Sequence, residues 1–228
     1  MTKELHVGSL TTAQDMIPIY SLLETRSLNG SIREIHAVLN GNNRNPETLT
    51  DIAECAFGVK IKSEQVNVTK CTLDKRDAFF AKEFGFTILP VAYAALSGGD
   101  VEAWIGPALV PAEHPLYHRT ENDNSIHIVF KNGKKQDEAK GFSYYVRLRV
   151  KDQSGALGQI AEKFGNAGVS IKEMRQPEAK KDSDETDMAF LLWPCQAKVL
   201  QSALSAIAGL GDIVMGVNPP LKAFNKNR

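Results

Sequence analysis

Two short stretches of this 228-residue chain carry residue types that could do chemistry. In EHPLYHR, His114 and His118 lie four residues apart, with Glu113 before them and His127 downstream. Two histidines at positions i and i+4 of a helix can bind a metal ion. Pro115 argues against a helix here, because proline restricts the preceding residue to extended conformations. The stretch therefore predicts no metal site.

The second stretch, DQSGALG at residues 152–158, is a glycine-rich turn that leads into a predicted helix. Backbone N–H groups at a helix N-terminus favour a carboxylate ligand, and Gly155 lets a ligand approach the backbone closely. Asn166 ends the same helix and could join the pocket of a neighbouring copy. The alternative is that Asp152 and Ser154 only cap the helix and the glycines only turn the chain.

The other reactive residue types favour ordinary roles. The helix start at Lys75, Arg76 and Asp77 is interpreted as a solvated charged turn. The cysteines lie far apart without a CxxC motif, which predicts reduced, buried thiols in a cytoplasmic protein; they are Cys55, Cys71 and Cys195.

Charge and composition exclude several classes of partner. The 27 basic and 27 acidic residues balance, so no electrostatic pattern favours nucleic acid or an anionic membrane. The N-terminus has no apolar core of signal-peptide length, and no apolar run approaches the ~20 residues of a membrane helix. The hydrophobic content of 43% is enough for an ordinary core.

The elements that must position these residues fall into two parts. Before a polar, glycine-bracketed linker at 131–141, turn residues and periodicity predict three helices and four strands. The helices are 9–26, 46–57 and about 72–85, and the strands are 31–39, 87–96, 101–109 and 125–131, with 59–68 left as strand or turn. In the helix at about 72–85, Phe79, Phe80 and Phe84 are expected to pack.

After the linker, the predicted order of elements is β-α-β-β-α-β over residues 144–217, a ferredoxin-like plait. The segment YYVRLRVKDQSGALGQIAEKFGNAGVSIKEM resembles an ACT domain in its aromatic strand, Asp-x-x-Gly-x-Leu turn and second strand. That resemblance implies binding of a small effector, usually an amino acid, between paired domains. The implied effector-binding residues are Asp152, Gln153, Ser154, Gly155, Ala156, Leu157, Asn166, Gly168, Val169, Ser170 and Ile171.

The upstream part is similar to homoserine dehydrogenase in four stretches that occur in the family's order. They are DMIPIYSLL, IREIHAVLNG, the segment from DIAECAFG to FTILPVAYA, and IGPALVPAEHPLYHRTENDNSIHIVF. The resemblance accounts for the His-Pro-Leu motif without a metal. It also implies that the first part pairs in a homodimer, because an unpaired apolar sheet face is an association surface.

Several parts of the family pattern are expected to be missing. No Gly-x-Gly-x-x-Gly motif occurs, and the stretch before Ser9 leaves no room for a dinucleotide-binding unit. The loop NGNNRNPETL stands where the family carries its catalytic Asp and Lys segment, so we interpret it as a remnant cleft. Its residues are Asn40, Gly41, Asn42, Asn43 and Asn45, together with His114. No catalytic residue, cofactor or metal is predicted.

The sequence thus predicts an α+β protein: a mixed β-sheet with helices on one face at 1–140, then a ferredoxin-like βαββαβ ACT domain at 141–228. The leading hypothesis is a non-catalytic, homoserine-dehydrogenase-like dimer that binds a threonine-like amino acid and regulates a partner in amino-acid metabolism. Two alternatives stay open. One is an enzyme of amino-acid-derived biosynthesis with a repurposed cleft. The other is a dehydrogenase subunit whose NAD(P) domain lies on another chain.

Overall fold

A computed structural model describes residues 4–7, 32–39, 41, 44–122, 124–130, 142–177 and 184–226. The predicted helix at 9–26 and the predicted linker at 131–141 lie outside these residues. The chain divides into two compact units. The first comprises Met1–Lys70, Ile88–Ala108 and Glu113–Ala139, and the second comprises Cys71–Thr87, Leu109–Ala112 and Lys140–Arg228.

The described residues form four helices and a large mixed sheet, as the α+β prediction requires. The helices are α1 (Pro46–Phe57), α2 (Lys75–Glu83), α3 (Ala156–Asn166) and α4 (Ala197–Ala208). The strands are β1 (Glu4–Val7), β2 (Ile32–Val38), β3 (Asn67–Val68), β4 (Phe86–Ser97), β5 (Asp100–Pro111), β6 (Ser125–Phe130), β7 (Phe142–Lys151), β8 (Ile171–Arg175), β9 (Glu185–Cys195), β10 (Val214–Val217) and β11 (Leu221–Ala223). None of these helices has the length and apolar character needed to cross a bilayer.

In the first unit, strands β1, β6, β2, β4 and β5 lie side by side in that order, and the short β3 joins β5 in parallel. The pairs of β2 with β4 and β6 are antiparallel, and the register places His36 opposite both Tyr93 and His127. Directly opposed residues of antiparallel strands project to the same face. The register therefore gathers these three aromatic rings on one side of the sheet.

Helix α1 covers the other face of this sheet. Asn45 caps its first turn by accepting a hydrogen bond from the Thr48 N–H at 2.8 Å, and Pro46 occupies its first position. Gly58 ends it with φ of +68°, a left-handed conformation that glycine adopts without strain. The apolar stripe of α1 is buried against alternate residues of the sheet: Leu49, Ile52, Ala53 and Ala56 against Ile35, Ala37, Ala92 and Ile128.

In the second unit, β10, β7, β9 and β8 are neighbours in that order and all pairs are antiparallel, while β11 extends β7. The predicted βαββαβ order is confirmed. Helices α3 and α4 bury one stripe each in a common core with the strands, and that core includes Ile160, Phe164, Leu204, Val146 and Phe190.

Some local details differ from the sequence prediction. Phe80 and Phe84 are buried, but Phe79 is 52% exposed, so the expectation that all three pack is wrong. Successive residues of a helix point about 100° apart, and the nine-residue α2 buries only one stripe. Strands β1 and β11 are short, and long-range pairing rather than local periodicity defines them.

Candidate functional site

Three histidines from distant parts of the chain meet in the first unit. His36 lies on β2, His127 lies on β6, and His114 lies in the turn after β5; we call this group the histidine cluster. One ligand-capable atom of each residue lies within 4.8 Å of those of the other two. The ring centroids of the three pairs are 5.1 to 5.5 Å apart.

A series of hydrogen bonds determines which imidazole nitrogens in the histidine cluster carry a proton. The Leu116 N–H donates to Nδ1 of His114 at 3.1 Å, so the proton of a neutral His114 is on Nε2. That nitrogen is 2.9 Å from Nδ1 of His36 and donates to it. The proton of His36 is then on Nε2, which donates to the Glu34 carboxylate at 3.1 Å. Two neutral imidazoles in defined tautomers follow from this order.

The surroundings keep His114 uncharged at neutral pH. Burial, followed by the positive charges that His36 and His127 can carry, lowers the pKa of His114 to about 3. Burial is the largest influence on Glu34 and raises its pKa, but the hydrogen bond with His36, the positive charge that His36 can carry and that of Arg33 together outweigh burial, so the pKa lies below its usual value. Burial and the charge of Glu34 raise the pKa of Tyr93, which stays a phenol.

The sequence pattern paired His114 with His118, but in the structure His114 lies with His36 and His127 instead. His118 is exposed and stacks its ring edge against Tyr117 at a centroid distance of 5.0 Å. His36 received no role from the sequence. Both its strand and that of His127 were predicted, but neither their pairing nor their register was, and that pairing is the signal that could have found it.

The residues of the predicted remnant cleft that the structure describes mainly stabilise the loop and the start of α1. Asn45 caps α1, and Gly41 is exposed in a turn. Asn40, Asn42 and Asn43 lie outside the described residues. Arg44 holds the loop by donating to the Leu39 and Glu121 carbonyls at 3.0 and 3.2 Å. Of the predicted cleft residues that the structure describes, His114 alone joins the histidine cluster.

The predicted effector-binding residues lie in the second unit at opposite ends of α3. Asp152–Leu157 surround its start, and Asn166–Ile171 surround its end and the beginning of β8. The 11-residue helix is roughly 16 Å long at 1.5 Å per residue. One chain therefore does not bring the two groups together. A site made of both groups requires one end from each of two copies.

The start of α3 carries no side-chain cap. Gly155 is the N-cap residue with φ of +84°, and as a glycine it offers no side chain to cap the first turn. Asp152, the cap suggested by the sequence, instead accepts from Nε2 of Gln176 at 3.2 Å. A Cβ added at Gly155 would meet no atom of the described residues within 4 Å, so the space beside the backbone of Gly155 is open.

Charged residues form a buried network elsewhere in the second unit. Arg147 on β7 is 1% exposed and contacts three carboxylates: Asp77 at 2.7 Å, Asp74 at 2.8 Å and Asp187 at 3.0 Å. The phenol of Tyr145 also donates to Asp77 at 3.0 Å. The interpretation of residues 75–77 as a solvated turn is wrong for Asp77, which is 2% exposed, because Tyr145 and Arg147 of β7 contact its carboxylate.

Comparisons with known proteins agree with the resemblance predicted from the sequence. Residues 48–136 match the homoserine dehydrogenase family. A homoserine dehydrogenase of Neisseria gonorrhoeae is 22% identical, over 71% of this chain and 49% of that protein. One of Methylobacillus glycogenes is 32% identical, over 31% of this chain and 17% of that protein. The chain thus spans about half the length or less of these relatives.

The fold is also that of a homoserine dehydrogenase. A crystal structure of the enzyme from Thiobacillus denitrificans superposes with a TM-score of 0.73 at 15% identity, over 91% of this chain and 68% of that one. One from Staphylococcus aureus at pH 8.5 superposes with a TM-score of 0.57 at 12% identity, over 88% and 65%. At these identities the likeness concerns the fold alone.

Proposed function

We propose that this chain, similar to homoserine dehydrogenases over residues 48–136, binds a small amino acid through an ACT-like second unit and does not itself transfer hydride. The threonine-like ligand would control a homodimer or a partner in cytoplasmic amino-acid metabolism. The observation that carries the proposal is the start of α3, where the N-cap residue Gly155 offers no capping side chain and the space beside its backbone is open.

The chemistry of that helix end suits the carboxylate of an amino acid. The first backbone N–H groups of a helix have no intrahelical acceptor, and the helix dipole adds partial positive charge there. A carboxylate satisfies both conditions. Gly155, which has no Cβ, leaves room for its oxygens to reach the backbone.

The other predicted group would complete the pocket from a second copy. Ser170 precedes β8 and Ile171 begins it, and the backbone N–H of Trp193 donates a hydrogen bond to the Ser170 carbonyl at 2.9 Å. The Trp193 side chain is 37% exposed, and the Lys172 ammonium lies 5.0 Å from its ring centroid. A ligand seated at this end of α3 would change the polarity around Trp193, which makes its fluorescence a natural reporter.

The proposed lack of hydride transfer rests on the residues of the remnant cleft. The loop between β2 and α1 runs from Leu39 to Asn45 and ends in a helix cap, so it has no room for the Asp and Lys segment of the enzyme family. Hydride transfer needs a cofactor held against its substrate, and this sequence contains no Gly-x-Gly-x-x-Gly motif.

The test is a titration of the purified protein with each of the twenty amino acids, followed by thermal shift and Trp193 fluorescence. The chain has two tryptophans, so a Trp104→Phe background isolates the signal of Trp193. We expect a small amino acid to raise the melting temperature, and threonine is the leading candidate. NAD(P) should not raise the melting temperature. No oxidation of homoserine should be detected. The proposal fails if no amino acid changes stability or oligomeric state, or if homoserine is oxidised.

Two glycine variants separate binding from stability. Gly155→Ala and Gly58→Ala each place a Cβ on a left-handed residue with open space around it, so each should cost about 1–2 kcal/mol of stability. Only Gly155 lies at the proposed carboxylate site. Gly155→Ala should weaken amino-acid binding by roughly tenfold to a hundredfold through lost charged hydrogen bonds, and Gly58→Ala should leave it unchanged. Equal effects of the two variants would contradict the proposed location.

A further inference from the structure

The histidine cluster of the first unit carries an inference that is independent of amino-acid binding. We infer that His36, His114 and His127 form a binding site for a transition-metal cation of the zinc type, with one imidazole nitrogen contributed by each residue. The inference rests on the convergence of three imidazoles from β2, β6 and the turn after β5 within 4.8 Å of one another.

The spacing of the nitrogens is close to that of a metal site. Zinc binds imidazole nitrogens at 2.0–2.1 Å in a tetrahedron, which separates any two of them by about 3.3 Å. Nδ1 of His36 and Nε2 of His114 are 2.9 Å apart, slightly closer than this. The three ligand atoms lie within 4.8 Å of one another, so the rings must rotate to bring each pair to the required separation.

The carboxylate of Glu34 is positioned as an outer-shell partner. It accepts the Nε2 proton of His36 at 3.1 Å and thereby directs the Nδ1 lone pair of His36 into the cluster. Metal-bound histidines usually donate their second nitrogen to a carboxylate or carbonyl in this way, which fixes the ring and strengthens the ligand. Glu34 is itself on β2, two residues from His36, so the same strand supplies both groups.

The donor set selects the type of metal. Imidazole suits zinc, copper, nickel and iron, whereas magnesium and calcium require several oxygen ligands. Three histidines leave a fourth tetrahedral position for water. The proposed site is therefore a three-histidine site with one exchangeable position.

Metal binding at Nε2 of His114 requires a proton to move. That nitrogen carries a proton which it donates to His36, and a metal cannot share the same lone pair. The proton moves to Nδ1 of His114, and the ring stays neutral. Nδ1 then no longer accepts from the Leu116 N–H, so the bond now 3.1 Å long is lost. A change at the Leu116 amide is therefore a specific consequence of metal binding.

The competing explanation is that the three rings only pack and hydrogen-bond to hold the sheet together. Both explanations use the same contacts, but only one predicts stoichiometric uptake of metal. The experiment uses the full chain, freed of any affinity tag and treated with EDTA, and titrates it with Co²⁺ and Zn²⁺. Visible absorption reports the geometry around cobalt, and Zn²⁺ competition reports affinity.

Single variants His36→Gln, His114→Gln and His127→Gln each remove one proposed ligand. His118→Gln is the matched control, because His118 is exposed and lies outside the histidine cluster. We expect one Co²⁺ per chain with tetrahedral absorption in the wild type and in His118→Gln, and loss of that absorption in the three cluster variants. Circular dichroism checks that each variant is folded.

Two further measurements keep the test decisive if a ligand variant does not fold. Glu34→Gln retains all three ligands and should lower the affinity for zinc by about 10-fold to 100-fold. In the wild type, zinc should speed hydrogen exchange of the Leu116 amide. The inference is overturned if the wild type takes up no metal, if His118→Gln loses binding as the cluster variants do, or if thiolate-to-cobalt absorption shows that a cysteine is the ligand.

Discussion

Replacing Arg147 with methionine should be among the most damaging single changes in the second unit. The guanidinium is 1% exposed and bonded to carboxylates on two elements, Asp77 of α2 and Asp187 of β9. Methionine has a similar length and apolar character, so the change removes charge and hydrogen bonds while leaving little empty space. The carboxylate of Asp77, which is 2% exposed, would keep its negative charge without a cation beside it.

The size of the effect follows from that uncompensated charge. Breaking a buried ion pair by removing one partner costs about 3–5 kcal/mol. Urea unfolding of small proteins has a slope of about 1–3 kcal/mol per molar. The unfolding midpoint of the second unit should therefore fall by roughly 1–5 M urea, as followed by the fluorescence of Trp193 in a Trp104→Phe background.

Arg149→Met is the matched control. Arg149 lies two residues further along the same strand, is half exposed, and contacts Glu185 only at 3.5 Å. An exposed ion pair contributes about 0–1 kcal/mol, so the midpoint should hardly move. If Arg147→Met and Arg149→Met shift the midpoint equally, or if Arg147→Met is stabilising, then the network is not held together by the charge of Arg147 and the reasoning is refuted.

Three other predictions concern local features. Asn45→Ala should cost about 0.5–2 kcal/mol in urea unfolding, because it removes the cap of α1. Gly106→Ala should cost about 1–3 kcal/mol, because its Cβ would lie 2.9 Å from Cβ of Thr69. Burial raises the pKa of Asp74, but hydrogen bonds from Arg76 and the charge of Arg147 outweigh it, so the pKa lies below the usual 3.8. Its contribution is present above that pH and lost as the pH falls, so Asp74→Asn should flatten the decline of stability below about pH 4.

Each of these predictions has a control. Asn45→Asp keeps an acceptor at the cap and should restore stability. Gly165→Ala, inside α3 with no atom within 4 Å of the added Cβ, should stabilise by about 0.5–1 kcal/mol, the opposite sign to Gly106→Ala. For Asp74, whose side chain is 38% exposed, solvent screening keeps the effect small, and Asn preserves the helix cap. Identical acid profiles for Asp74→Asn and wild type would contradict the pKa argument.

Local signals in the sequence were sufficient for most of the secondary structure. Asp74 caps α2, Gly58 ends α1 in a left-handed conformation, and Gly98 and Gly99 both take positive φ in the hairpin between β4 and β5. Each of these roles depends on the conformational preferences of one or two residues. The βαββαβ order followed for the same reason, because its turns and periodicity are both local.

The histidine cluster was beyond the reach of the sequence. His36 and His114 are 78 residues apart, and their contact depends on strand register and on the path of the turn after β5. A one-residue shift in the pairing of β2 would move His36 to the opposite face of the sheet. The sequence contains the three imidazoles, but no local pattern joins them.

The charged network of the second unit likewise depends on contacts between residues that are distant in the sequence. Asp77 has the pattern of a helix-capping residue, and it does receive the Asp74 N–H at 3.0 Å as that pattern predicts. Its second role appears only when Arg147, 70 residues later, is placed against it.

The sequence by itself determined most of the helices, strands, caps and turns, together with the resemblance to homoserine dehydrogenase. Those features depend on neighbouring residues or on motifs that keep their order along the chain. Tertiary structure alone decided which polar residues face each other, because hydrogen bonds and ion pairs form between atoms within a few ångströms and are indifferent to separation in sequence. The histidine cluster and the surroundings of Arg147 are both results of that second step.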